Sequence, residues 1–432
     1  MENYWKKTIV LLIAVFFIAG LGIFLLSFPS ARSVFVETIK HVAIPVVVDP
    51  NADIAEQKPL ANPPHPIKAI YLTAWSAGNF DTVTRALNLI RDTELNAVVI
   101  DVKDYTGVVS YKPKSAVQVI EYGAFEERIK KINSVIKRFH DEGVYVIGRV
   151  AVFEDQALVA ARPEFALKSK KSNGGIWGDR KGIKWLDTSV PAVWDYNIEI
   201  AKDAFARGFD EVNLDYIRFP TDGDTADIIY PHFDEKLQTR RQVLQQFFKH
   251  VRDEIPYGKL SADIFGETTM HAGTLVIGQH LEDPFLYFDA VAPMIYPSHF
   301  GPGSFGYAKP AEMPYEIIRA SMDNAFLRIT DLRKNLLLAT STAKMVIGEL
   351  RPWLQDFDLG ADYDAVKVRA QIRAVEDSAR LAAGCAPKGP ANDLPTLSLT
   401  VGDKCMNAEI GWMLWSPGNS YTRGALRPGG NF

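Results

Sequence analysis

The 432-residue chain reads as an α/β protein, a (β/α)₈ barrel preceded by an N-terminal transmembrane helix and a linker. Three observations predict this. An uncharged apolar run lies near the start, a proline-spaced stretch follows it, and short β-branched runs then alternate with longer segments of helical period up to the C-terminus.

The apolar run extends from Ile9 to Phe28 behind Lys6 and Lys7. At about 1.5 Å rise per residue it is long enough to cross a hydrocarbon core of roughly 30 Å. A cleaved signal usually has an apolar region of only about 7–15 residues before a small-x-small site. Here the run is longer and Ser27–Ala31 is a weak cleavage site, so an uncleaved anchor is favoured over a cleaved signal. The paired lysines before the run, with only Arg32 and Lys40 soon after it, orient the N-terminus inward. The expected location is therefore the cell membrane, single-pass, with the body of the chain outside the cytoplasm. Residues 1–30 form the stub and anchor. Residues 31–66 form a spacer with prolines at 45, 50, 59, 63, 64 and 66, and residues 67–432 form the barrel domain.

Eight strand-like runs follow: Ala69–Trp75, Ala97–Lys103, Val144–Val152, Glu211–Phe219, Leu260–Phe265, Ala290–Tyr296, Asn335–Thr340 and Glu409–Ser416. Eight parallel strands close a barrel. Helical segments fall between them at Thr82–Asp92, Phe125–Glu142, Val193–Arg207, Lys236–Glu254, Pro314–Arg328 and Asp364–Ala383, several stopped by a glycine such as Gly143, Gly208 or Gly384. The link from the fifth to the sixth run is less clearly helical, and little chain follows the eighth.

Composition narrows the function. The chain is 47% hydrophobic and 23% charged, with a net charge of -4, so it has no broad basic field and nucleic acid is a poor partner. There is no HExxH, no phosphate-binding glycine loop, no GxGxxG after the first strand and no GxSxG elbow, so no cofactor or metal is called for. The histidines on loops expected at the mouth, His232, His271, His280 and His299, have no metal-ligand spacing. Only two cysteines occur, Cys385 and Cys405, flanking Ala386–Pro390. In an oxidising compartment they would close a loop as a disulfide. Two unrelated thiols are the alternative, and zinc is disfavoured because no histidine is near.

Strand parity picks the candidate site, since alternate residues face the barrel interior and chemistry gathers at the C-terminal strand ends. On the fourth run Val212 and Leu214 pack outward, while Asn213 and Asp215 point inward. A carboxylate there is costly unless it is used or paired, and an ion pair with Arg218 or Arg149 is its structural alternative. On the fifth run Ser261 and Asp263 face inward, which puts Asp263 beside Asp215. Neighbouring strands are roughly 5 Å apart, close enough for paired acid/base work. A loop hydrogen bond is the bland use of Asp263. Glu267, one turn further out, is the reserve acid, with a solvated loop charge as its simpler reading. Asp101, Lys103 and Arg149 share inward parity on the second and third runs and serve as ordering or binding residues. Tyr105, Tyr296 and Trp415 add aromatic rings at strand ends, with Trp177 and Trp185 on the loop after the third strand. Two carboxylates with an aromatic rim suit the flat CH faces of sugar rings.

The strings Ala69–Thr73, Asn96–Asp104, Tyr145–Arg149, Glu211–Pro220 and Met294–Ser298 together resemble a bacterial glycoside hydrolase domain family once catalogued only as a domain of unknown function. The resemblance runs from about Ile67 to Ser416, with the Glu211–Pro220 string its most specific part. That family is similar to α-amylase and α-galactosidase-like barrels, in which the aspartate ending strand 4 is the nucleophile and the proton donor ends a later strand. The resemblance therefore implies a glycosidase with Asp215 as nucleophile. It also places Asp263 where the α-amylase type has glutamate, which leaves the acid/base open between Asp263 and Glu267. The expected partner is a carbohydrate. The expected reaction is retaining hydrolysis with two carboxylates, set against two alternatives: a cell-surface sugar-binding protein on a degenerate barrel and a metal-dependent deacetylase.

Overall fold

The computed structural model describes residues 52–339, 347–390 and 409–429. They build a closed parallel barrel of eight strands. The strands are β1 (Lys68–Leu72), β2 (Ala97–Lys103), β3 (Tyr145–Ala151), β4 (Glu211–Asp215), β5 (Lys259–Phe265), β6 (Ala290–Met294), β7 in two pieces (Glu349–Leu350 and Trp353–Gln355) and β8 (Trp412–Trp415). Each pairs in parallel with its sequence neighbour, and β8 returns to β1 through Lys68↔Trp412, which closes the ring.

Six longer helices lie outside: α1 (Phe80–Asp92), α2 (Ile132–His140), α3 (Pro191–Arg207), α4 (Arg240–Glu254), α5 (Pro314–Ala339) and α6 (Ala365–Ala382). Their ends follow local chemistry. Asn79 caps α1, Thr239 and Gln242 form a reciprocal box at the start of α4, and Gly208 takes the left-handed conformation that ends α3. The β5–β6 link holds only 3₁₀ turns, at Gly266–Thr269 and Pro284–Leu286, and β8 is followed by one, Arg423–Ala425.

Strand alternation divides the core in two. Val98, Ile100, Val146, Val212, Leu214, Ala262, Ile264 and Leu414 pack outward under the helices. Ala69, Tyr71, Val99, Ile147, Ala292, Trp353 and Met413 fill the interior. Residues of the proline-spaced stretch lie against the barrel: Asp53 accepts from the backbone of Asn133 and Ser134 at the start of α2, the Gln57 amide donates to Arg207, and the Leu60 amide to Asp210.

The seventh strand corrects the sequence expectation. Asn335–Ala339 is the last turn of α5, and Leu337 and Leu338 are exposed there. An apolar run without β-branched residues does not by itself distinguish strand from helix, and leucine and alanine are strong helix formers. The true strand was obscured by Arg351-Pro352, which divides it; a proline inside a run argues against a central strand. The run Ile9–Phe28 lies outside the described residues, and among those described no helix is long and apolar enough to cross a membrane. Cys385 follows the end of α6, whereas Cys405, its expected partner, lies outside the described residues.

At the floor of the barrel Glu211 takes a bidentate grip from Arg351, at 2.8 and 3.1 Å, with both side chains almost wholly buried. Removing one partner of such a pair strands a charge in the core. Glu211→Ala is therefore expected to lower unfolding free energy by about 3–5 kcal/mol in urea titration, and the double variant Glu211→Leu/Arg351→Met to recover most of it. A single-variant loss below about 1 kcal/mol would contradict this role.

Candidate active site

The inward residues at the C-terminal ends of β2, β3 and β4 meet around one guanidinium. Arg149 on β3 donates through Nη1 to Asp101 Oδ1 at 2.7 Å, and through Nη2 and Nε to Asp215 Oδ2 at 2.6 and 3.1 Å. Register sets this up, because Asp101 pairs with Arg149 across β2–β3 and Arg149 with Asn213 across β3–β4. The Tyr71 hydroxyl donates to the second oxygen of Asp101 at 2.5 Å. Its ring stacks on Trp415 at 3.9 Å and 15°, and Arg149 lies 5.2 Å from the Trp415 ring centre. The ion pair expected as the structural alternative for Asp215 is thus present, with Arg149 and not Arg218.

Asp215 ends β4, and the next residue, Tyr216, has φ 54°, a left-handed conformation uncommon for a side chain of that size. The turn aims the Tyr216 amide at Asp215 Oδ1, 2.6 Å away. Asp215 therefore has Oδ2 on the guanidinium and Oδ1 on a backbone donor.

Asp263 on β5 follows the pair Leu214↔Ala262, so it stands level with Asp215 on the adjacent strand, as parity expects. Its surroundings differ. Asn213 Nδ2 and Trp353 Nε1 both donate to Oδ1, at 2.9 and 2.8 Å, and among the described residues no cation forms an ion pair with it. Burial, added to by the charge of Asp215, pushes the Asp263 carboxyl well above the ordinary carboxylate range. The same burial and the same two acids raise the Tyr296 hydroxyl, whose ring lines the interior.

Other expected residues are placed differently. Lys103 is sealed: a register slip between Asp101 and Lys103 turns it away from the interior, onto Asp155 at 2.7 Å and toward the Tyr196 ring of α3. It cannot reach a substrate. Glu267 is exposed on the 3₁₀ turn after β5 and has no side-chain hydrogen bond to a described residue. Tyr105 is exposed beyond β2. Arg218 lies 4.7 Å over both Trp185 and Phe265, with Asp222 as its nearest carboxylate at 3.8 Å. Trp177 and Trp185 are buried and do not form a rim; the long β3–α3 loop folds them into the hydrophobic core outside the strands, braced by the antiparallel pair Lys168–Ser169 and Ile228–Ile229.

Three residues here escape a parity count. Tyr71 sits on a strand with no acid to draw attention to it, Trp353 belongs to the divided seventh strand, and Glu154 lies three residues past the end of β3. Glu154 is buried, and its carboxyl is pushed up to about 8, first by burial and then by Asp179, Asp215 and Asp222, against the pull of Arg218. Among the described residues no cluster of three or more His, Cys, Asp or Glu side chains is arranged to hold a metal ion.

Comparison with known proteins gives this geometry a family. A solved structure of a hypothetical protein from Ruminiclostridium thermocellum is 37% identical over 45% of this chain and 96% of its own, with a TM-score of 0.41. The glycoside hydrolase domain of PgaB (BpsB) from Bordetella bronchiseptica is 15% identical over 84% of this chain and 99% of its own; its TM-score of 0.52 shows a shared fold. An α-galactosidase from Thermus thermophilus is 13% identical over 78% of this chain and 60% of its own, with a TM-score of 0.43. No curated protein matches. A family profile described as "Putative glycosyl hydrolase domain" matches residues 69–381, and the chain belongs to that family.

Proposed function

We propose that the protein is a retaining glycosidase that cuts a cell-surface or extracellular polysaccharide or oligosaccharide from the outer side of a membrane, held there by the Ile9–Phe28 run. The observation that carries this reading is the contrast between two level carboxyls on adjacent strands. Asp215 is an ion pair with Arg149, and Asp263, beside it, is pushed toward its neutral form. Pairs of acids whose surroundings separate their protonation states divide the labour of nucleophile and acid.

In this mechanism an Asp215 oxygen attacks the anomeric carbon as the glycosidic C–O bond breaks, and the leaving oxygen takes the proton of Asp263. Water then attacks the glycosyl-enzyme and gives a proton back to Asp263, and Asp215 departs as the carboxylate. Arg149 keeps Asp215 aimed through both steps. The stacked Tyr71 and Trp415 rings, with Tyr296, offer the apolar faces on which a sugar ring can lie.

A non-catalytic sugar-binding barrel would also retain the Arg149–Asp215 pair. It differs in outcome, because it binds glycans and releases no reducing ends.

Asp215→Asn should lower the release of reducing ends from any glycan the wild type cuts by at least about 10³-fold. Proton NMR of the first product should show the anomeric configuration of the substrate; an inverted product, or full activity in Asp215→Asn, removes Asp215 as nucleophile. A second expectation concerns pH. The acid works while protonated, so kcat/KM should fall as pH rises through the elevated Asp263 value. Asp263→Asn should abolish that limb and cost about 10²–10⁴-fold on natural glycosides, much less on aryl glycosides with good leaving groups. Equal losses on both substrate types would assign Asp263 a structural part only.

A further inference from the structure

The mechanism leaves one buried acid at the mouth unused. Beyond β3 the chain stays beside β4, with the Val152 amide donating to Asp215 O at 2.9 Å and the Phe153 amide to Tyr216 O at 3.3 Å. Phe153 packs outward against Phe247 of α4, and the next residue, Glu154, follows directly on the backbone contact with Tyr216 and is close enough for the charge of Asp215 to act on it. The returning arm of the loop pins this position through a bridge from Glu154 to Trp185 and a bond from the Leu186 amide to Phe153 O. Glu154 is only 5% exposed, yet its carboxyl has no hydrogen-bond partner among the described residues.

The groups facing it are Asp215, Tyr216 and Arg218 from the end of β4 and the loop after it, Asp222 further along that loop, and Asp179 from the returning arm. Arg218, the one cation among them, is engaged elsewhere: it donates to Phe219 O and lies between the rings of Trp185 and Phe265. Glu154 caps no helix and bridges no strands through its side chain. Burying most of a carboxyl without a protein partner is costly, and because its oxygens are not sealed off, solvent or a bound ligand can supply that partner.

We infer that Glu154 is a substrate-binding residue whose carboxyl hydrogen-bonds a hydroxyl of a neutral pyranose seated next to Asp215. A carboxylic acid offers one O–H donor and a carbonyl acceptor, which a sugar hydroxyl matches with one of each. A uronic acid would bring a further negative charge beside Asp179, Asp215 and Asp222 and is disfavoured. The inference rests on the carbohydrate reading above but not on bond cleavage.

The test measures binding in full-length Asp215→Asn protein, where no bond is cut. Calorimetry at pH 6 and pH 9 uses hexamers of β-1,4-linked glucose, N-acetylglucosamine and glucosamine, and of galacturonate. A neutral hexamer should bind at pH 6, and more weakly at pH 9 as Glu154 ionises. Glu154→Ala should weaken binding at pH 6 by about tenfold or more, the worth of a buried hydrogen bond. Glu154→Gln, which keeps the shape and the donor, should bind within about threefold at pH 6 and lose the difference between the two pH values. Infrared difference spectra between the parent and Glu154→Gln should show a neutral carboxyl band at pH 6. The inference is overturned if that band is absent, if Glu154→Ala binds as the parent does, if galacturonate or glucosamine is preferred, or if none of the four binds. Glu154-dependent binding with no cleavage by the wild type would instead defeat the glycosidase reading alone. Asp215-dependent cleavage with binding indifferent to Glu154 would defeat this inference alone.

Discussion

The mouth of this barrel depends on one cation. Arg149 stands in the interior with almost no exposure and ties Asp101 on β2 to Asp215 on β4, reaching across three adjacent strands. Without it two buried carboxylates would face each other in a medium that screens them poorly. With it the trio still has one more negative charge than positive, and that excess is felt on the next strand, where Asp215 helps to drive Asp263 toward neutrality. The aromatic surround answers the same demand: Tyr71 donates to Asp101 while its ring and that of Trp415 cover the guanidinium.

The interior is layered along β4. Glu211, Asn213 and Asp215 share one parity, and each meets a different partner. Glu211 has Arg351 at the floor, Asn213 donates to Ser261 and Asp263 in the middle, and Asp215 has Arg149 at the mouth. β4 thus carries polar groups into a core that is otherwise filled by Ala69, Val99, Ile147, Trp353 and Met413. Such groups are tolerated because they are paired with side chains from other strands, Asn213 and Asp215 with adjacent ones and Glu211 with Arg351 across the barrel.

What was legible in the sequence was whatever a period of two controls. Seven of the eight strands, the outward Val212 and Leu214 and the level placement of Asp215 and Asp263 all follow from alternation. What was illegible arose where alternation is broken. A slip at Asp101/Lys103 turned a lysine of inward parity into a sealed partner of Asp155. Arg351-Pro352 divided β7 and hid Trp353, whose indole holds Asp263. The extension of β3 past its last regular residue brought Glu154 to the site, although its position reads as loop. Trp177 and Trp185 misled for another reason: a long loop that packs against the barrel's outer core spends its aromatics on that core.

The two carboxyls also show how one sheet assigns opposite characters to chemically equal groups. At Asp215 both oxygens meet donors, the guanidinium on Oδ2 and the Tyr216 amide on Oδ1. At Asp263 the two donors converge on Oδ1, which leaves Oδ2 to hold a proton beside a negative neighbour. The left-handed conformation at Tyr216 belongs to the same arrangement: by turning the peptide directly after β4 it points an amide back at Asp215. A local backbone strain of order 1–3 kcal/mol is thereby tied to the orientation of a single carboxylate. Residue 216 is accordingly a position where conformation, rather than side-chain chemistry, governs the site.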